Sequence, residues 1–285
     1  MPSLLINGVD IWYEEMGTGV PIALNSGGRG GMEAIRGLAE RLAIHYRVII
    51  HDRRNCGASD VVISGELSEH EIWADDLHDL LTRLDAAPAY VGGGSNGSPI
   101  SLLVAIRHPE SVMGLLLWNV VGGPVSAQRL GYNYYEQFVE IAKREGMSGI
   151  AESEFFAERI QQNPSNRERL LAMDPQEFIS VMLRWHAFFT AERPVVGATE
   201  AQLQAIQAPT AIIPGNDEVH PREVGENLHR ILLNSELYEP IWSTQERDTQ
   251  IGQDQAKFRD LGYERMASVY LPFLTRLEEA KVSKS

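Results

Sequence analysis

A serine with glycines two residues to either side is the group in this chain best suited to covalent chemistry. It is Ser95 within Gly93–Gly97, and the apolar run before it predicts a short buried strand, with a helix beginning at about Pro99. Glycines at these two positions let neighbouring backbone pass close to a sharp strand-to-helix turn. The helix that follows directs the positive end of its dipole at the turn. The spacing therefore predicts a nucleophilic hydroxyl on a strained turn.

Strands and helices alternate on both sides of this turn. The Asn7-Gly8 pair between two apolar runs predicts a hairpin at the start of the chain. Ser68 and Glu71 have the spacing of a capping box at the start of a helix. Besides the hairpin, six strands are predicted, at residues 21–25, 46–51, 90–94, 112–119, 210–214 and 236–241. The alternation predicts an α/β protein with a mostly parallel eight-stranded sheet and helices on both faces.

The alternation is interrupted between residues 122 and 208, where only helical patterns occur. We expect a core domain of residues 1–121 and 209–285, with a helical cap of residues 122–208 inserted after the sixth strand. The cap is rich in aromatic side chains, and some of them, Trp185 included, could line a pocket for an apolar or aromatic substrate.

The composition is that of an acidic globular protein. The 39 Asp and Glu residues against 25 Lys and Arg give a formal net charge of −14, which argues against nucleic acid and anionic membranes as partners. The single cysteine, Cys56, permits no internal disulfide and suits a reducing compartment. No leader pattern or membrane-length apolar run is visible. We expect a cytoplasmic protein whose partner is a small-molecule substrate, with a homodimer left open.

Six segments, in order along nearly the whole chain, resemble the α/β-hydrolase fold. They are the strand and glycine-rich turn 21–28, the Asp-Arg-Arg-Asn-Cys-Gly-Ala-Ser-Asp turn 52–60, the serine turn 93–97, the Arg-His-Pro-Glu sequence 107–110, the helical insertion, and the Pro-Gly-Asn-Asp-Glu-Val-His-Pro sequence 214–221. The resemblance implies that Ser95 is the nucleophile and Asp217 the acid of a catalytic triad. It also implies an oxyanion hole formed by the backbone N–H groups of Gly28 and Asn96. No cofactor is expected.

The histidine of the triad does not occur at its usual place. In the family it follows the last strand, but no histidine occurs after residue 229. Without an adjacent base a serine hydroxyl is a weak nucleophile. Three residues remain open as the substitute base: His220 close to Asp217, His186 in a cap helix, and a carboxylate after the last strand, Glu246 or Asp248. The carboxylate could act as a base only if burial raised its pKa.

Further polar residues could contact a substrate. Asn25 ends its strand and could donate to a substrate oxygen, whereas Arg29 in the glycine-rich turn would attract a carboxylate or enolate. Trp185 and His186 would reach the substrate from the cap. The acidic residues near His220 are too few for a metal site, so no metal is expected.

These patterns leave three functions open. The first is hydrolysis of a small, apolar or aromatic carbonyl compound, such as an ester, a lactone or a carbon–carbon bond beside a ketone, with Ser95 and a base from an unusual place. The second is non-hydrolytic chemistry on the same fold, by a lyase, a cofactor-free oxygenase or a proton-transfer catalyst. The third is a catalytically silent protein that binds an apolar ligand beneath the cap.

Overall fold

One eight-stranded sheet organises the chain. The computed structural model describes residues 1–250 and 255–283, without the side chains of 248–250. The strands are β1 (Ser3–Ile6), β2 (Val9–Met16), β3 (Pro21–Asn25), β4 (Arg47–His51), β5 (Ala89–Ser95), β6 (Val112–Val120), β7 (Thr210–Ile213) and β8 (Ser235–Leu237). Their order across the sheet is β1-β2-β4-β3-β5-β6-β7-β8. β2 runs antiparallel to both neighbours, and all other pairs are parallel. The predicted fold class is therefore confirmed.

Helices follow the strands in the predicted alternation. They are α1 (Arg36–Leu42), α2 (Glu69–Arg83), α3 (Gly97–Arg107), α4 (Pro124–Gly131), α5 (Gln137–Glu152), α6 (Glu154–Gln162), α7 (Ser165–Leu171), α8 (Pro175–Thr190), α9 (Glu200–Gln204), α10 (Arg222–Ile231), α11 (Thr244–Gln250) and α12 (Gln255–Val282). The capping box at the start of α2 forms as predicted, with Ser68 and Glu71 bonding each other's backbone N–H. α12 continues through Pro272, although a proline inside a helix often kinks or breaks it.

The two faces of the sheet carry separate apolar clusters. Buried side chains of α2, α3 and α10 pack on one face, and those of α1 and α12 pack on the other. Strands β3 to β7 lie between these layers and consist mainly of buried apolar residues, as expected for parallel strands covered on both sides. Within the described ranges no helix is long and apolar enough to cross a membrane.

Helices α4 to α8 lie between β6 and β7 and form an apolar cluster of their own. A π-helical turn, Tyr132–Glu136, joins α4 to α5. The cluster also includes Val61, Ile63 and Val121 from the sheet domain, which attach the cap. The domain division stays a prediction. Leu203 and Ile206 pack with the sheet and not with the cap helices, although the predicted cap ends at 208.

Candidate active site

Ser95 occupies the turn between β5 and α3. Its φ of +50° lies in the left-handed region, which is unusual and strained for a residue other than glycine. The flanking glycines are required by close packing. A Cβ on Gly93 would lie 2.1 Å from the Gly97 carbonyl oxygen, and a Cβ on Gly97 would lie 2.4 Å from that of Asn25. The turn has the geometry that its spacing predicted.

His220 is the side chain that reaches the serine. Its Nε2 lies 2.8 Å from Ser95 Oγ, and its Nδ1 lies 3.0 and 3.1 Å from the two carboxylate oxygens of Asp217. An ionised carboxylate can only accept, so Nδ1 carries the ring proton and Nε2 is left to accept the hydrogen of the serine hydroxyl. Serine, histidine and acid are therefore linked in the order of a catalytic triad.

The loop after β7 supplies both the histidine and the acid. Asp217 Oδ1 accepts the backbone N–H groups of Val219 and His220, each at 2.8 Å, and the Asp217 N–H donates to the His220 carbonyl at 3.3 Å. Aspartate commonly closes a turn in this way. A Cβ on Gly215 would lie 2.3 Å from the His220 carbonyl oxygen. Gly215 therefore permits the chain to fold back and place the imidazole against the carboxylate.

The electrostatic surroundings keep Asp217 ionised. Burial alone would raise its pKa, but the hydrogen bonds and charge of His220 and the nearby Arg247 outweigh it and lower the pKa to about 2. Arg247 Nη1 lies 3.2 Å from Asp217 Oδ2. Arg247 belongs to α11, in the segment after the last strand where the family places its histidine. That segment contributes a cation beside the acid in this chain.

The predicted oxyanion residues lie against the serine. A Cβ on Gly27 would lie 3.3 Å from Ser95 Cβ, so the glycine-rich loop passes directly beside the turn. Gly28 has a φ of +55°, and its carbonyl accepts from Arg53 Nη2 and from Asn96 Nδ2, both at 2.9 Å. These two side chains hold the loop in place. That the N–H groups of Gly28 and Asn96 receive an oxyanion stays a prediction.

A buried histidine fixes the Asn96 side chain. His70 Nε2 lies 2.7 Å from Asn96 Oδ1. Because Asn96 Nδ2 donates to a carbonyl, its Oδ1 must accept, so His70 carries its proton on Nε2. Burial lowers the pKa of His70 to about 3 and keeps the ring neutral. Neither His70 nor Arg53 was singled out from the sequence, because their partners lie 25 or more residues away.

The structure corrects two of the predicted substrate-binding residues in the sheet domain. Asn25 is buried, and its amide donates to the Gly92 carbonyl and to Ser101 Oγ, so it braces the strands and not a substrate. Arg29 is also buried, and its guanidinium is paired with Glu69 at 2.6 Å. A protein carboxylate thus occupies the position predicted for a substrate anion.

The two predicted cap residues are likewise used within the protein. Trp185 is 1% exposed, packs on Tyr135 and donates to the Leu67 carbonyl at 3.0 Å. His186 is partly exposed on α8, with its Nε2 3.9 Å from a carboxylate oxygen of Glu136. The base alternative that used His186 is disfavoured, because His220 already occupies the serine hydroxyl.

The carboxylate alternative for the base receives no support from Glu246. Its side chain bonds Arg265 and Ser243, and the pairing with Arg265 lowers its pKa to about 2, opposite to the direction a base requires. The side chain of Asp248 lies outside the described residues. Among the described residues, one group could offer three metal ligands, His78, His108 and Glu110. It contains none of the residues of the serine site.

Comparison with known proteins agrees with this fold. A family described as alpha/beta hydrolase fold matches residues 20–127. An uncharacterised hydrolase of Bacillus subtilis (strain 168), YraK, is 34% identical over 151 residues, 52% of this chain and 54% of the relative. The chain thus spans about half the length of that relative, and less of three other curated proteins that it matches.

Solved structures match over almost the whole chain. The enol-lactonase of Burkholderia xenovorans LB400 aligns with a TM-score of 0.62 at 19% identity, covering 96% of this chain and 100% of the enzyme. Est816, described as an N-acyl homoserine lactone degrading enzyme, aligns with a TM-score of 0.58 at 22% identity, covering 91% and 98%. At such identities the likeness shows the fold alone. The chain thus has the α/β-hydrolase fold, and its residues 20–127 match the model of that family.

Proposed function

We propose that this protein hydrolyses a small carbonyl compound, an ester or a lactone, with Ser95 as nucleophile, His220 as base and Asp217 as the acid that orients it. The observation that carries the proposal is the 2.8 Å separation between His220 Nε2 and Ser95 Oγ. It supplies the adjacent base that a serine nucleophile needs. Similarity to proteins named as hydrolase, lactonase and esterase gives the same direction.

The geometry defines the steps. Ser95 Oγ attacks the carbonyl carbon while its proton passes to His220 Nε2, and Asp217 stabilises the imidazolium that forms. The carbonyl oxygen becomes an oxyanion, which the N–H groups of Gly28 and Asn96 would receive beside the start of α3. The imidazolium then protonates the departing alkoxide, leaving an acyl-serine. A water molecule, deprotonated by the same imidazole, hydrolyses the acyl-serine and restores the hydroxyl.

A cavity beside the cap has the size of a small ligand. It measures about 520 Å³ and is lined by residues 122–124, 190–193 and 196, at the two ends of the cap, and its lining does not include Ser95 or His220. Its volume falls in the range of small-molecule pockets. The preference for an aromatic substrate loses support, because Tyr135, Phe138 and Trp185 are buried in the cap's own core. With a charge of −14, we propose a small molecule and not nucleic acid as partner.

Replacing the serine tests the proposal. Ser95→Ala should lower turnover of p-nitrophenyl acetate and of a simple γ-lactone by at least about 10³-fold, because losing a triad member removes most of the catalysis. A fluorophosphonate should add its mass to Ser95 in the wild type only. Ser268→Ala is the matched control, because this hydroxyl lies exposed on α12 and bonds only the carbonyl of Arg265.

Two outcomes would contradict the proposal. One is wild-type turnover in Ser95→Ala, which would favour non-hydrolytic chemistry on the same platform. The other is a wild-type protein that neither reacts with the phosphonate nor turns over any ester or lactone. That result would favour the ligand-binding alternative.

A further inference from the structure

A tyrosine of the cap lies close to the glycine-rich loop that contains Gly28, here called the oxyanion loop. Tyr134 lies in the π-helical turn that joins α4 to α5, and its hydroxyl oxygen is 3.7 Å from where a Cβ on Gly28 would be. π-helical turns inside α-helices are frequent at functional sites. Gly28 is the residue whose N–H is proposed to receive the oxyanion. The cap thus places a hydroxyl close to the residue at which negative charge is proposed to develop.

The Tyr134 hydroxyl has no hydrogen-bond partner anywhere in the described part of the chain, whereas its two tyrosine neighbours in the same turn are engaged. Tyr135 donates to Glu69 Oε2 and Tyr132 donates to Glu140 Oε2, both at 3.1 Å. The Tyr134 side chain is only partly buried, so its hydroxyl can bond solvent or a ligand. This donor beside the oxyanion loop is therefore available to a ligand acceptor.

Tyr134 is held to the oxyanion loop by its backbone carbonyl and within the cap by its ring. Arg29, in that loop, donates to the Tyr134 carbonyl at 2.8 Å while it is ion-paired with Glu69. The ring packs edge-on against Phe189, with centroids 5.7 Å apart. A donor held in this way costs little reorganisation when charge develops, which is the requirement for electrostatic stabilisation of a transition state. Burial raises the pKa of Tyr134 to about 12, so the hydroxyl keeps its proton at neutral pH.

We propose that Tyr134 is a catalytic residue whose hydroxyl donates a hydrogen bond to the carbonyl oxygen of the substrate, as a third oxyanion donor supplied by the cap. This inference rests on the proposed serine hydrolase function. The ligand group that it requires is a carbonyl oxygen bound at the Gly28 N–H. The bond strengthens as that oxygen acquires charge, so its main effect is on kcat.

The test is Tyr134→Phe, which removes only the hydroxyl, with Tyr132→Phe as the matched control from the same turn. Steady-state kinetics on p-nitrophenyl acetate should show kcat lowered 10- to 100-fold in Tyr134→Phe, a loss typical of one oxyanion donor or somewhat less. KM should change less than threefold. The rate of phosphonylation of Ser95 should fall in parallel, because the phosphonyl oxygen occupies the same site. Tyr132→Phe should match the wild type in all three measurements.

Thermal unfolding distinguishes this role from a structural one. Because the Tyr134 hydroxyl has no protein partner to lose, Tyr134→Phe should unfold at the wild-type temperature. A kcat within twofold of the wild type, a change confined to KM, or a lowered unfolding temperature that accounts for the lost activity would each overturn the inference. If Ser95→Ala is inactive while Tyr134→Phe is fully active, only this inference fails. If Ser95→Ala is active, the proposed function fails.

Discussion

Substituting Asp217 by asparagine should disable the base without disturbing the fold around it. Asp217 Oδ1 accepts two backbone N–H groups at 2.8 Å, from Val219 and His220, so the amide oxygen of the asparagine must take that place. The amide nitrogen then replaces Oδ2, 3.1 Å from His220 Nδ1. An amide nitrogen donates, so this contact favours an Nδ1 that accepts and a ring proton on Nε2, in competition with the amide oxygen 3.0 Å from Nδ1, which accepts from an Nδ1–H. In the favoured tautomer Nε2 faces Ser95 Oγ as a donor and cannot take its proton.

The expected loss follows from this tautomer. Trapping the imidazole in the wrong tautomer typically lowers kcat by about 10⁴-fold, equivalent to about 5.5 kcal/mol of transition-state stabilisation. The assay is the steady-state hydrolysis of p-nitrophenyl acetate, with thermal unfolding as the test of folding. Glu218→Gln is the control, because Glu218 is the adjacent carboxylate, is 75% exposed and lies 3.9 Å from Arg129. We expect its kcat within twofold of the wild type.

An Asp217→Asn enzyme that loses less than about tenfold in kcat while Ser95→Ala is inactive would contradict the role proposed for Asp217, since a 10⁴-fold loss is usual when the acid orients the base. That combination would mean that His220 is oriented by something other than Asp217, or that another group takes the serine proton. An equal loss of kcat in Glu218→Gln would also contradict the role proposed for Asp217. It would show that the charge of the loop, and not the position of one carboxylate, sets the activity.

Two further predictions concern stability. Gly97→Ala should destabilise by about 3 kcal/mol in urea unfolding, because its Cβ would lie 2.4 Å from a backbone oxygen. In Gly30→Ala the nearest atom to the new Cβ is 3.6 Å away, so the free energy of unfolding should fall by less than about 1 kcal/mol. Equal losses in the two variants would show that Gly97 is not closely packed. Burial, with the charge of Arg53, lowers the pKa of His51 to about 3 in the folded protein, whereas the pKa of an unfolded histidine is about 6.5. The contribution of His51 to the free energy of unfolding is therefore complete above about pH 6.5 and is lost as the pH falls toward 3. His51→Leu should therefore reduce the loss of unfolding free energy between about pH 7.5 and 5.5 by about 1.4 kcal/mol, whereas the exposed His45→Gln should leave that loss unchanged.

Most of the sheet could be predicted because its signals are local. The Asn7-Gly8 hairpin, the apolar strands and the Ser68 capping box each depend on residues close together in sequence, and all of them form. The cap is harder to predict in detail. The helical pattern at residues 132–136 forms a π-helical turn before α5, and Tyr135 in that turn packs on Trp185 and Phe189 of α8.

The site was predictable where one segment determines it and unpredictable where distant segments meet. Ser95 and its glycines could be read from their spacing, as could the candidacy of His220 beside Asp217. The partners of Arg29 could not be predicted from the sequence. Its charge indicated an anion, but the anion is Glu69 of α2, 40 residues away. Tyr134 was one of many aromatic residues in the cap, and only the packing shows that its hydroxyl lies over Gly28.

Placing the proposed acid and base in one turn changes what the rest of the chain must do. Asp217 Oδ1 receives the N–H of Val219 and the backbone N–H of His220, and it lies 3.0 Å from the His220 ring. The imidazole is therefore oriented by a turn of four residues, and two loops need not pack correctly to align it. The segment after β8 is freed from supplying a histidine, and it provides Arg247 3.2 Å from the other carboxylate oxygen. In the family that segment bears the base, whereas in this chain it places a cation beside Asp217, the residue proposed to orient the base.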